Sequence, residues 1–161
     1  MERKSKINYY LDIAQTVATR ATCLRRKFGA IIVRDDVIVS TGYNGAPRGR
    51  KNCCDLGTCL RTEMNIPRGE RYELCRSVHA EANAIISAAR DRMLGADLYL
   101  CCVDGTSGEL VPGTTSCQMC KRLVINAGIA RVIVRNTSDE YTVFPVEDWV
   151  ANDDSLGTIG Y

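Results

Sequence analysis

The chain of 161 residues contains one histidine, one tryptophan, two phenylalanines and four prolines. With a single imidazole, any metal site that uses one, and any histidine base, rests on His79. An excess of charge of either sign is missing too: 21 Lys and Arg face 19 Asp and Glu, leaving +2. So weak a field gives no reason to expect a nucleic-acid backbone or a membrane surface as the main partner. No apolar run approaches the ~20 residues of a membrane span. The start, Met1 to Lys6, is basic, but Asn8, Asp12 and Gln15 interrupt the apolar positions after it. No export signal is read there, and the expected compartment is the cytoplasm.

Cysteine, by contrast, is plentiful. Nine in 161 residues is an odd number and falls below the ~8–10% of a disulfide scaffold. In a chain without an export signal, reduced thiols and metal ligation are expected before disulfides. The length suits one domain spanning 1–161, with 148–161 read as a polar, peripheral tail.

Hydrophobic spacing sets out the elements. Ile7, Leu11, Ala14, Ala18 and Ala21 recur as one face of an amphipathic helix. The β-branched runs Ala30–Val33 and Val37–Val39, around Asp35 and Asp36, predict an antiparallel hairpin. Residues 44–77 carry Asn44-Gly45, Pro47, Gly49, Gly57 and Pro67-Arg68-Gly69 and read as a long loop with at most one short helix. An alanine-rich helix extends from Val78 to Met93, then a strand at Leu98–Leu100. Cys117, Cys120, Leu123, Val124 and Ala127 are helically spaced, with Gly128 as the expected residue past the helix end. Arg131–Val134 is the next strand, and strand, helix, strand implies a parallel crossover. The fold class is therefore α/β: a hairpin continued by parallel strands, with helices on both faces.

Three features carry chemistry: His79, Glu81 two residues on, and Cys117 with Cys120 at a helix start. Two thiolates three apart share a helical face and can grip one zinc ion. His79 supplies a third ligand, and a catalytic zinc keeps three protein ligands with a fourth position for water. Glu81 is assigned as a proton shuttle beside that water, not as a ligand. Alone, a histidine is more often a surface or core residue, and a lone C-x-x-C is often redox-active or half of a structural zinc knuckle. Together they match the zinc-deaminase pattern of H-x-E and a later C-x-x-C.

The segments Ser40–Gly49, Cys75–Ile85 and Ile125–Ile129 resemble the deoxycytidylate deaminases, over roughly residues 7 to 135. The resemblance implies a three-layer, cytidine-deaminase-like fold with a mixed central sheet. It implies conversion of dCMP and water to dUMP and ammonia, feeding thymidylate synthesis. By position, His79, Cys117 and Cys120 would hold the catalytic zinc, Glu81 would give and take the proton, and Asn44 would bind the substrate sugar. Arg26 is the candidate for the phosphate, with Arg48 beside it. Family members are often hexamers, and some are regulated by dCTP and dTTP. Some carry a second, structural zinc on cysteines at positions like Cys23 and Cys54 completed by histidines. Here no histidine is left, so Cys59 and Cys75 are proposed to complete that set, with Cys53 as a substitute. The family usually has proline before the first cysteine of the pair, where this chain has Ser116, which could cap the helix instead. A deaminase of another target (a nucleoside, tRNA adenosine or guanine) and a non-catalytic zinc module remain the alternatives, and turnover separates them.

Overall fold

The computed structural model describes residues 1–156. Helix α1 (Lys6–Ala18) precedes the hairpin of β1 (Arg26–Arg34) and β2 (Val37–Tyr43). Two one-turn helices come next, α2 (Cys53–Leu56) and α3 (Leu60–Glu63), then a 3₁₀ turn at Tyr72–Leu74. After it stand α4 (Ala80–Ile86), α5 (Arg90–Met93), β3 (Asp97–Asp104) and α6 (Gln118–Ala127). The described elements end with β4 (Arg131–Arg135), β5 (Tyr141–Pro145) and α7 (Val146–Ala151). No helix among the described residues is long and apolar enough to cross a membrane.

The five strands form one mixed sheet in the order β2-β1-β3-β4-β5. β3 and β4 pair in parallel across α6, as the crossover spacing predicts, and the other three pairings are antiparallel. Alternation along the strands sorts their side chains into two cores. Ala30, Ile32, Leu98, Leu100, Val132 and Val134 face α4, α5, α6 and α7. Ile31, Val33, Tyr99, Cys101 and Ile133 face α1. The result is three layers, as expected.

Two glycines set how closely the helices approach. A Cβ on Gly29 would fall 2.0 Å from the Ala14 carbonyl oxygen of α1, and one on Gly42 would fall 2.4 Å from both Ala80 O and Ala84 N of α4. The hairpin turns on Asp35 and Asp36, both left-handed at φ 51° and 61°, as a two-residue turn matching the strand twist requires. Asp36 accepts from Tyr10 Oη and Lys6 Nζ of α1. Buried Arg135 ties β4 to α1 through Asp12 Oδ1 (2.7 Å), Gln15 Oε1 (2.9 Å) and the Asn8 carbonyl (3.1 Å). The polar residues that interrupt the apolar start of the chain thus form one helical stripe with a buried partner.

Several expectations need correction. The 44–77 loop holds two short helices and a 3₁₀ turn, not at most one helix. The alanine-rich helix stops at Ile86, because Ala89 is extended (φ −74°, ψ 141°) and α5 starts afresh, carrying Met93 into the core. β5 was not anticipated; it is an exposed edge strand without strong alternation. The 148–161 segment begins inside α7, where Trp149 packs against the core 6.1 Å from the Phe144 ring. Its end, 157–161, lies outside the described residues.

Candidate active site

Two helix starts meet at one end of the sheet. His79 is the residue capping α4 and Cys117 the residue capping α6. The Cys117 sulfur accepts from the Cys120 backbone N–H at 3.4 Å, so it fills the cap position that Ser116 was expected to take. Ser116 is instead buried beside Glu81. His79 Nδ1 lies 3.5 Å from Cys117 Sγ and 3.4 Å from Cys120 Sγ. Bonds of ~2.3 Å to sulfur and ~2.0 Å to nitrogen place tetrahedral ligand atoms roughly 3.5 Å apart, so the three donors fit one zinc. Among the described residues they form the one group of three or more His, Cys, Asp or Glu donors lying within 4.8 Å of one another.

The charges around this trio shift one another. The hydrogen bond from Cys120 draws the Cys117 thiol down to about 4, against burial and with help from His79. That same contact pushes Cys120 up strongly. Burial pulls the imidazole down, but the Cys117 and Cys75 sulfurs overcome it and raise His79 to about 10. Glu81, 4% exposed in the first turn of α4, is held above the ordinary carboxylate range, first by burial and then by the Cys117 thiolate. A carboxyl of raised proton affinity that stands beside the three converging donors, and is not one of them, is suited to moving a proton.

These residues open onto a cavity of about 1550 Å³. Its walls include His79, Glu81, Cys117, Asn44 and Arg26, together with Arg25, Arg50, Arg68 and Lys121. Asn44 is buried, and its side chain extends the β1 ladder: Oδ1 accepts from Phe28 N (2.8 Å) and Nδ2 donates to the Arg26 carbonyl (2.9 Å). An amide has two donors and two acceptor sites, so Asn44 can hold the strand and still meet a ligand. Arg48 does not line this cavity. It faces a separate recess of about 280 Å³ with Arg20, Thr22, Tyr43 and Asn83.

Of the remaining cysteines, Cys101 and Cys102 are buried within β3, and the five before His79 divide. Cys23, Cys53, Cys59 and Cys75 line the cavity, while Cys54 is exposed with its thiol 4.0 Å from Asp55 Oδ1. Successive helical positions point about 100° apart, so Cys53, the substitute, takes the inner position and Cys54 the outer one. The sequence reading missed Tyr72 and Arg61. Tyr72 meets the His79 ring at right angles (5.0 Å, 88°), and the Arg61 guanidinium stands 4.4 Å from the Tyr72 ring centre. Neither belongs to a recognisable motif, and no local pattern marks them.

Residues 4–136 match the family described as the cytidine and deoxycytidylate deaminase zinc-binding region. A deoxycytidylate deaminase of Mycobacterium phage D29 is 36% identical over 138 residues, covering 83% of this chain and 96% of the phage protein. A deoxycytidylate deaminase of Schizosaccharomyces pombe is 32% identical over 131 residues, or 81% of this chain; the chain spans 37% of that protein's length. The apo crystal structure of dCMP deaminase from cyanophage S-TIM5 is 26% identical, covers 85% of this chain and 88% of its own, and superposes with a TM-score of 0.57. With the donor trio, the three-layer fold and these likenesses together, the chain belongs to the cytidine and deoxycytidylate deaminase family of zinc-binding proteins.

Proposed function

We propose that the chain is one catalytic domain that hydrolyses dCMP to dUMP and ammonia, in the cytoplasm, as part of pyrimidine deoxynucleotide metabolism. The observation that carries this is the open trio of His79, Cys117 and Cys120 with buried Glu81 alongside. A closed structural zinc site would need a fourth protein ligand, and it would leave Glu81 without a role. The relatives named deoxycytidylate deaminase favour the nucleotide over other amino-bearing bases.

In this reading His79, Cys117 and Cys120 hold the zinc, which when bound supplies the Lewis acidity that activates water near neutral pH. Glu81 takes the water's proton at its carboxylate and returns it to the departing nitrogen. Asn44 meets the sugar, and Arg26 meets the phosphate through charge-assisted hydrogen bonds. The same reading extends to a homo-oligomer, with a hexamer as the family precedent, and to dCTP and dTTP as effectors.

Ammonia release from dCMP, deoxycytidine, dCTP and cytosine tests the substrate. A hydrogen bond to a charged group contributes roughly 1.5–3 kcal/mol. kcat/KM for dCMP is therefore expected to exceed that for deoxycytidine by at least about tenfold, and equal values would leave a nucleoside deaminase.

A second, structural zinc on Cys23, Cys59 and Cys75, with the inward Cys53 in place of the exposed Cys54, belongs to the same proposal. It would pin a loop that has few large apolar residues to offset its ordering entropy. Metal analysis is expected to find about two zinc ions per chain, falling to about one in Cys59→Ser with a lower Tm. A single ion per chain, removed by Cys117→Ser, ends that part of the proposal.

A further inference from the structure

We propose that Tyr72, held in place by Arg61, is a positioning residue that keeps the His79 imidazole turned as a metal ligand. The inference rests on the zinc reading of His79, Cys117 and Cys120.

Arg61, in α3, is 6% exposed, and its hydrogen bonds go to backbone carbonyls, not to a carboxylate. Nε donates to Glu70 O at 3.0 Å and Nη2 to Pro67 O at 3.3 Å. Burying a cation without a counter-charge is costly unless other groups satisfy it. The face of Tyr72, 4.4 Å from the guanidinium carbon, is a further partner. The arrangement closes the turn between Pro67 and Tyr72, where Arg71 is held in the left-handed region at φ 53°. Two hydrogen bonds fix the buried guanidinium, and its third contact sets where the Tyr72 ring stands.

That ring stands against His79, with centres 5.0 Å apart and planes at 88°. The imidazole must present Nδ1, and not a ring carbon or Nε2, to a point shared with Cys117 Sγ and Cys120 Sγ, 3.5 and 3.4 Å away. Zinc-bound histidines are usually oriented by donating their outer N–H to a carboxylate, a carbonyl or water. Against this ring stand the Cys75 thiol, which also bonds to the imidazole, and the Tyr72 ring. The edge-to-face contact, fixed from behind by Arg61, adds to the Cys75 thiol in setting the plane of the ring.

The test measures zinc release from the loaded protein into excess chelator without substrate, and the visible spectrum of the cobalt-exchanged protein. Lost outer contacts to a metal-bound histidine typically weaken metal binding about 10–100-fold. Tyr72→Ala and Arg61→Met are each expected to release zinc about tenfold faster or more and to shift the cobalt–thiolate band. Tyr72→Phe keeps the ring and is expected to restore both readouts. Should Tyr72→Ala unfold, Tyr72→Leu, which keeps bulk but not the aromatic face, is judged by the same criteria. Parent-like zinc release and an unchanged cobalt band in these variants, with only KM raised, overturns the proposal and leaves Tyr72 as a substrate wall. Wild-type protein that binds no zinc through His79 fails the zinc reading itself, before any variant is compared.

Discussion

Glu81→Gln is expected to retain the metal of the His79, Cys117 and Cys120 trio and to lose at least ~10²-fold in turnover, because glutamine cannot relay a proton. The substitution is close to isosteric, and Glu81 is not one of the three donors that converge, so the fold and the metal content stay intact. Burial also holds the Glu81 carboxyl above its ordinary range, so a neutral amide in its place removes a desolvation cost and does not add one, and stability changes little. Cys117→Ser is the counterpart. It removes a metal donor while the serine hydroxyl can still cap α6, so metal and activity are expected to fall together, and thermal stability only by what the metal contributes. Zinc content and rate measured on both variants separate the roles: metal lost from Glu81→Gln shows ligation by the carboxylate, and near-normal activity in both places the chemistry elsewhere.

A single methyl group between β2 and α4 is expected to be nearly as damaging. In Gly42→Ala the new Cβ would lie 2.4 Å from Ala80 O and from Ala84 N, both backbone atoms of α4. No rotamer relieves a clash with backbone, so β2 and α4 must separate. Overpacking of this kind costs about 3 kcal/mol or more, which at this chain length lowers Tm by roughly 6–12 °C. α4 carries Glu81 and is capped by His79, so metal affinity is expected to fall with Tm. Gly108→Ala serves as the control, since that position is left-handed at φ 74° but opens onto free space, and the change costs only about 1–2 kcal/mol. A Gly42→Ala melt no lower than that of the control refutes the close-packing argument.

What the sequence disclosed and what it withheld divide along physical lines. The hairpin was legible because β-branched runs flank two residues that readily turn, and β3-α6-β4 because apolar spacing changes period between strand and helix. His79, Glu81, Cys117 and Cys120 were legible because each pair sits within one helical turn, where spacing alone fixes proximity. Between residues 44 and 77 local pattern fails. There α2 begins where Asn52 N donates to Asp55 Oδ2 at 2.9 Å, while Asn52 Oδ1 accepts from Thr22 Oγ1 at 3.0 Å. Such elements are held by single polar contacts and not by an apolar face, so periodicity does not register them. Adjacent Cys53 and Cys54 could be told apart only once α2 set their directions. Arg135 gave no local sign of its role either, since its partner Asp12 is 123 positions away.

The long segment that forms the far wall of the cavity is tied off at its base. Gly45 and Val78 exchange backbone hydrogen bonds, with Gly45 N to Val78 O at 3.2 Å and Val78 N to Gly45 O at 2.7 Å. Residues 46–77 therefore leave and re-enter the fold at one point, directly before His79. Asn44, Glu81 and the Cys117–Cys120 pair lie outside that closure, on or beside the sheet and its packed helices. In evolutionary terms the chemistry and the outline of the chamber are separately heritable. Insertions, deletions or recombination within 46–77 can reshape which molecules enter while the reacting groups keep their positions, provided that Arg61 and Tyr72 keep their contacts toward His79.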